Sequence, residues 1–427
     1  MNALKHQKVY PQLQAFTWKA CVNYFVPVLA LCMAGGAAGK AEESLQNRTI
    51  KIGMSTALTG PARELGREVR AGVLAAFHEL NSSGGVAGRK LELIVKDDGY
   101  EPSRTIVNMR YLVEQEHVLA ILGNVGTPTA VAAIPIANST KTPFVGAYTG
   151  AGVLRKSPPD RYVINYRASY EEETAAMVAA LIESAGLLPQ EIAFFTQRDA
   201  YGDAGFSGGM RALKRFGLRD TSEIAHARYE RNTNLVEKGL AELLLHRRPI
   251  KAVIMVGAYN PCAKFITLAK QNSFTPLFLN VSFVGAGSLA RSLEMTGDGV
   301  IVTQVVPHPA GDSLLARRYR EALNQVDEKT QPSHTSFEGY IAARILLKAI
   351  SHSREDLTRE NLVQALESLG DFSVDSLSDL SLSAQDHQAS QKVWPTQLLD
   401  SAVVPFDWSE LSSTGGDFAV QAGAAHE

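Results

Sequence analysis

Residues Ile50 to Tyr100 read IKIGMSTALTGPARELGREVRAGVLAAFHELNSSGGVAGRKLELIVKDDGY. The run opens as a strand. Ile50, Ile52 and Met54 alternate with smaller or polar residues until Thr59, Gly60 and Pro61 stop it. From Glu68 the period lengthens: Val69, Val73, Ala76, Phe77 and Leu80 share one face of a helix, with Gly72 allowing close approach. Residues 81–85 (NSSGG) end that helix with side chains that tolerate turn or left-handed geometry. Leu91, Leu93, Ile94 and Val95 form a second strand, closed by Asp97, Asp98 and Gly99. Two such strands joined by a helix make a right-handed βαβ unit. Its ligand-accessible edge is the carboxyl end of the strands, where the loops 58–67 and 97–103 lie.

The alternation continues along the chain. Residues 102–115 are helical in period, 119–122 form a short buried strand, 130–137 begin a helix and 143–146 form a strand. A second series starts at 162–167 (YVINYR), with helices at 171–185, 205–216, 235–246 and 261–271. Its strands fall at 191–196, 222–228, 252–256 and 277–280, and 300–306 is a further strong strand ended by Pro307. Helices at 313–326, 336–351 and 359–369 follow. Short continuous apolar runs, rather than strict alternation, suit parallel sheets covered on both faces. Two successive βα series predict an α/β protein of two doubly wound, Rossmann-like lobes, with 162–167 and 300–306 as crossing points. Residues 370–427 lose the alternation. A weak β pattern remains near 392–399, and the Gly/Ala-rich tail, 411–427, reads as disordered.

A chain of 427 residues is long enough for two cores, and 45% hydrophobic with 20% charged residues is ordinary globular chemistry. The formal net charge of -2 argues for neither nucleic acid nor an anionic membrane surface as partner. The first forty residues carry Lys5, Lys8 and Lys19, then an apolar run at 26–34, then small residues up to Ala41 and an acidic turn at Glu42. That order is a secretory signal, expected to be cleaved and to occupy 1–41, against the alternatives of an uncleaved anchor or a disordered leader. The apolar part is well short of the roughly 20 residues of a membrane span. With the signal removed, Cys21 and Cys32 go with it; Cys262 alone remains and no intrachain disulfide is possible.

Enzyme signatures are weak. There is no G-x-G-x-x-G after a strand, no G-x-x-x-x-G-K-[ST], no G-x-S-x-G and no H-E-x-x-H. Asp97 and Asp98 read as a solvated strand end rather than a catalytic pair, so no covalent chemistry, no cofactor and no metal are expected. The informative loops are strand exits. In 126–129 (GTPT), Thr127 stands before Pro128 where a helix should begin. It either caps that helix or uses its hydroxyl and the free N–H groups beside it to hold a ligand anion. The next exit, with Ala147, Tyr148 and Thr149, again presents small residues and a hydroxyl. Tyr201 and Tyr259 occupy equivalent exits in the second series, where a tyrosine is either half-buried packing or the apolar wall of a ligand cleft.

The run from 52 to 102, with RDAYGDAG (198–205), VGAYNPCAKFITLAK (256–270), VTQVVPHP (302–309) and HQASQKVW (387–394), resembles the type I periplasmic binding proteins. More narrowly, it resembles their leucine/isoleucine/valine-binding group, over roughly 49 to 400. The resemblance implies two lobes joined by three crossing strands and closing on a ligand by hinge motion. Residues 49–166 and 306–385 would build one lobe, and 167–305 and 386–410 the other. By position, Thr127 matches the hydroxyl that holds an amino-acid carboxylate. Ala147 and Thr149 match groups that touch the carboxylate and ammonium, and Tyr201 and Tyr259 match the second-lobe aromatics. Ser282 falls where branched-chain receptors place a glutamate for the ammonium, and a serine lacks that charge unless Asp199 or another acid compensates. Leu65 falls where the first-lobe aromatic is expected. The implied function is a secreted, monomeric periplasmic solute-binding protein that delivers a small amino-acid-like, carboxylate or amide ligand to an ABC permease in the inner membrane. The alternative is a sensor of the same fold that signals to a membrane kinase or cyclase.

Overall fold

A computed structural model describes residues 49–353 and 356–413. The signal segment expected at 1–41 lies outside the described residues, as do residues 414–427 of the tail expected to be disordered at 411–427; its first residues, 411–413, belong instead to a helical turn, Glu410–Ser413. The chain opens with β1 (Thr49–Thr56), α1 (Arg63–Ser82), β2 (Lys90–Asp97), α2 (Pro102–Arg110), β3 (Ala120–Leu122), α3 (Thr127–Ser139), β4 (Phe144–Val145) and β5 (Val163–Ile164). These strands form a five-stranded sheet in the order β2-β1-β3-β4-β5. Its pairings β1–β3, β3–β4 and β4–β5 are parallel, as continuous apolar runs such as 120–122 require.

The second series comprises α4 (Tyr170–Ala179), β6 (Ile192–Gln197), α5 (Ala200–Arg215), β7 (His226–Tyr229), α6 (Glu237–Leu244), β8 (Ala252–Val256), α7 (Tyr259–Gln271), β9 (Leu277–Asn280), α8 (Ala286–Leu293) and β10 (Ile301–Gln304). Helices α9 (Leu314–Val326), α10 (His334–His352) and α11 (Arg359–Glu367) come next. They lead to the hairpin β11 (Gly370–Val374) and β12 (Leu377–Leu382), then β13 (Trp394–Leu399) and β14 (Ala402–Pro405). The second sheet is seven-stranded, β14-β13-β10-β9-β8-β6-β7. Its edge is antiparallel, because β13 runs back along β10 and turns tightly into β14.

Three segments pass between the sheets. One follows β5 and enters α4, one follows β10 and leads to α9, and the third returns from β12 to β13. They are laced together: the Asn165 N–H donates to the His387 carbonyl at 2.7 Å, Ser390 N–H to the Tyr166 carbonyl at 2.8 Å, and the Tyr166 hydroxyl to the Val305 carbonyl at 3.0 Å.

The late helices return to the first sheet because α10 is apolar almost all round and must be covered. It lies against α1, and the crossing is made close by two glycines. A methyl group on Gly72 would overlap the Ser336 carbonyl, and one on Gly339 would overlap the Val69 carbonyl. Helix α1 starts at Arg63 rather than near Glu68, and α5 at Ala200 rather than Gly205, where Asp199 accepts the Tyr201 N–H at 3.0 Å. The hairpin β11–β12 was not legible. Its strands are short and rich in Ser and Asp, and the burial of Val374, Leu377, Leu380 and Leu382 marks their inner face. Asp98 is no solvated strand end: it is fully buried, accepting from the Ser55 and Thr105 hydroxyls at 2.8 and 3.1 Å and the Tyr100 N–H at 2.9 Å. Among the described residues no helix is long and apolar enough to cross a membrane.

Overpacking at a backbone-to-backbone contact has no flexible side chain to absorb it. Gly72→Ala should therefore lower unfolding free energy by about 3 kcal/mol, read as a shifted urea midpoint with unchanged slope.

Candidate functional site

The carboxyl ends of the parallel strands in both sheets face one another, and the loops that leave them are joined across a closed cleft. Arg231 reaches Glu101 at 2.9 Å, the Asn232 amide donates to the Gly99 carbonyl at 3.2 Å, and the Gln197 amide donates to the Tyr100 hydroxyl at 3.1 Å. On the other flank, Asn260 donates to the Pro61 carbonyl at 3.2 Å and Arg291 pairs with Glu68 at 3.0 Å. Tyr100 holds φ 64° to enter the cleft, and Gly126, at φ 100°, is where its ring rests; any side chain at 126 would collide with it.

On the first-sheet side, the sequence-predicted hydroxyls meet. Thr127 is the first residue of α3 and Gly126 takes the capping position, so Thr127 does not cap its helix. Its hydroxyl instead hydrogen-bonds that of Thr149 at 2.7 Å. Thr149 also accepts the Ala151 N–H at 3.3 Å, and its own N–H donates to the Ala147 carbonyl at 2.8 Å. Beside this pair opens a cavity of about 560 Å³. Thr127, Gly150 and Ala151 line it from the first sheet, and Ser169, Tyr170 and Ser207 from the second. Arg155, also in its lining, donates to the carbonyls of Ala151 at 3.0 Å and Arg167 at 2.9 Å; burial and the neighbouring Arg167 charge lower its pKa to about 10.

Ser282 lies elsewhere, in a buried ionic cluster that the sequence did not reveal. Its N–H and hydroxyl donate to the two oxygens of Glu173 at 2.7 and 2.9 Å. Glu173 also accepts from Thr303 at 2.6 Å. Arg167 donates to Glu173 at 3.2 Å and to the Ser282 hydroxyl, and stands 3.5 Å from Glu338 on α10. The acid beside Ser282 is thus Glu173 and not Asp199, which is spent on capping α5 and accepting from Gln197 at 2.7 Å. Arg167 is 1% exposed and its Nε finds no hydrogen-bond partner among the described residues. Burial alone would lower its pKa; Glu338 and Glu173 more than offset this and raise it. The guanidinium lies 4.9 Å from the ring centre of Tyr148 and 5.7 Å from that of Tyr170. The Tyr148 hydroxyl donates to the Ser282 carbonyl at 3.1 Å, tying the first sheet to the second.

The second-series tyrosines part company. Tyr201 is fully buried, donating to the Gly257 carbonyl at 3.2 Å, with its ring 5.2 Å from Tyr170 and 4.5 Å from Phe283. Tyr259 is 4% exposed and turned toward the Glu64 backbone, outside this ring cluster. Leu65 is fully buried against Gly285. Sequence reading missed Phe283, Tyr170, Arg167, Glu173 and Glu338. Arg167 ends the YVINYR run and Glu173 ends a run of three glutamates, so each carries the pattern of a solvated charge.

A family model described as "Periplasmic binding protein" matches residues 49–402. The chain belongs to the periplasmic binding protein family. A crystal structure of a possible leucine/isoleucine/valine-binding protein from Rhodopirellula baltica is 51% identical, covering 85% of this chain and 98% of that one, with a TM-score of 0.83. Leu/Ile/Val-binding protein homolog 7 of Brucella abortus is 26% identical over 344 residues, 76% of this chain and 82% of its own length. A branched-chain amino acid ABC transporter structure from Thermus thermophilus with bound valine is 17% identical with a TM-score of 0.74, a likeness of fold alone. The family is one of ligand-binding proteins rather than enzymes. Its type I fold is the pair of doubly wound sheets described above.

Removing the central cation leaves two carboxylates facing each other without water. Arg167→Met should cost about 3–5 kcal/mol by chemical unfolding. Glu338 supplies a pH test. Burial raises it to about 7 from an ordinary 4.5, with Arg167 opposing and Glu173 adding to the rise. The folded state thus holds this proton more tightly than the unfolded chain, so its stabilising effect is complete below about 4.5 and lost as pH rises through about 7. Wild type and Glu338→Gln should have similar urea midpoints at pH 4.5, and wild type should fall behind by pH 8.

Proposed function

We propose that this protein is an exported, periplasmic solute-binding protein of an ABC importer, acting as a monomer and holding a small carboxylate or amide ligand between its two lobes. The observation that carries this reading is the Thr127–Thr149 hydroxyl pair at the start of α3, 2.7 Å apart and opening on a cavity walled by both sheets. Hydroxyl donors at the positive end of a helix favour an anion, and a carboxylate suits that end of the cavity. The names of the relatives from Rhodopirellula baltica and Brucella abortus support an amino-acid-like ligand. The α-ammonium is less well served. Glu173, the acid beside Ser282, already accepts from Arg167, Ser282 and Thr303. The proposal therefore places ligands lacking an ammonium on equal footing with amino acids.

Binding to the folded state alone raises stability by about 2.7 kcal/mol at 100 times the dissociation constant, several degrees of melting midpoint. A thermal-shift screen of protein lacking residues 1–41 against amino acids, amides and aliphatic and aromatic acids should find such a ligand. Thr127→Val, nearly equal in volume, should weaken it by about tenfold to a hundredfold, a lost charge-assisted hydrogen bond, and should also lower the unliganded midpoint by a few degrees because the buried Thr149 hydroxyl loses its partner, so the affinity is compared at a temperature where both proteins are folded. A screen in which no carboxylate or amide moves the midpoint would sink the reading.

A further inference from the structure

Phe283 reaches from the second sheet into the aromatic groups of the first. It sits on a single turn, Ser282–Val284, directly after β9, and is fully buried. Its ring centre lies 5.5 Å from Tyr148 and 6.0 Å from Tyr100, both on exits of the first sheet, and 4.5 Å from Tyr201 on the second. The space between these tyrosines is therefore filled by the chain itself, and none of the four rings lines the 560 Å³ cavity beside Thr127. The fill is anchored. Ser282, the residue before it, is tied through N–H and hydroxyl to Glu173. Gly285, two residues after it, adopts φ 74° and donates its N–H to the Ser282 carbonyl at 3.1 Å, closing the turn from the other side. The carbonyl of the same Ser282 accepts the Tyr148 hydroxyl at 3.1 Å, so the turn that carries the ring is itself tied to the first sheet.

We infer that Phe283 determines ligand specificity by occupying the apolar space between Tyr100, Tyr148 and Tyr201, so that a branched aliphatic side chain is excluded and the ligand is confined to the hydroxyl-lined cavity. This rests on the solute-binding reading. A phenylalanine ring is at least as bulky as a leucine or valine side chain, and a close-packed interior cannot hold both. What the closed form accepts instead is a small carboxylate with a polar body, matched to Thr127 and Ser207 on the walls of the cavity, since Ser169 donates its hydroxyl to Glu172 at 2.8 Å. The hydroxyl pair and the aromatic space are neighbours. Tyr148 and Thr149 are consecutive, Tyr170 lines the cavity, and Tyr170 packs 5.2 Å from Tyr201. Emptying the space should therefore join it to the anion end.

The test uses L-leucine, L-valine and isoamyl alcohol, which carries the branched tail without the carboxylate, against wild type, Phe283→Ala and Phe283→Leu. Binding is read by calorimetric titration and melting midpoint. Leucine should leave wild type unmoved at millimolar concentration, and Phe283→Ala should bind it at least about tenfold more tightly than wild type and than isoamyl alcohol. Should Phe283→Ala fail to melt cooperatively, Phe283→Leu, which keeps most of the packing and shortens the fill, carries the same comparison for valine. Tight leucine binding by wild type would overturn the inference while leaving the solute-binding reading intact. Equal binding of leucine and isoamyl alcohol by Phe283→Ala would also overturn it, showing a cavity unconnected to the hydroxyl pair. So would no gain in either variant. The broader reading fails separately, by a carboxylate and amide screen that never moves wild type.

Discussion

Arg167 is buried at 1% exposure where the chain first crosses from one sheet to the other, and a cation in that position is tolerated only with fixed counter-charges. Glu173 comes from the first helix after the crossing, Ser282 from the exit of β9, and Glu338 from α10, which belongs with the first sheet. Each of these elements must arrive in place for the charge to be compensated. The cluster therefore specifies the meeting of the lobes more sharply than apolar packing can. Apolar contacts tolerate small shifts, whereas an ion pair out of water loses much of its compensation with one displaced partner.

The cleft takes its character from what surrounds this cluster. Tyr148 lies between the guanidinium and Phe283, with its hydroxyl on the Ser282 carbonyl, so the charged centre, the aromatic fill and the hydroxyl loop share one residue and its neighbour. Thr149 faces the other way, toward Thr127, which lines the cavity. A polar compartment and an apolar, aromatic one thus lie side by side. The boundary between them is drawn by Tyr148 and Tyr170, residue types with one apolar body and one polar end.

Much of this was legible in the chain and some was not, for reasons that differ by residue. The βα alternation, the close approach at Gly72 and the exit loops at 126–129 and 146–149 follow from local rules of period, turn chemistry and strand direction, and the structure places them as read. Of the two readings left open for Thr127, capping falls away because Gly126 adopts the positive φ that lets it precede the helix, freeing the threonine. Asp98 was misread because a carboxylate at a strand end looks the same whether water or three protein donors surround it.

What the sequence determined by itself is the fold: periodic burial is written in neighbouring residues, and a two-series α/β chain has few ways to cover its sheets. It also marked the two hydroxyl exits, since strand ends are local features. Only the tertiary structure decided the contents of the cleft. Arg167, Glu173 and Glu338 span 171 positions between first and last, and Phe283 meets Tyr148 across 135. Such partners are chosen by how two sheets close on each other, a long-range geometry that no local pattern encodes.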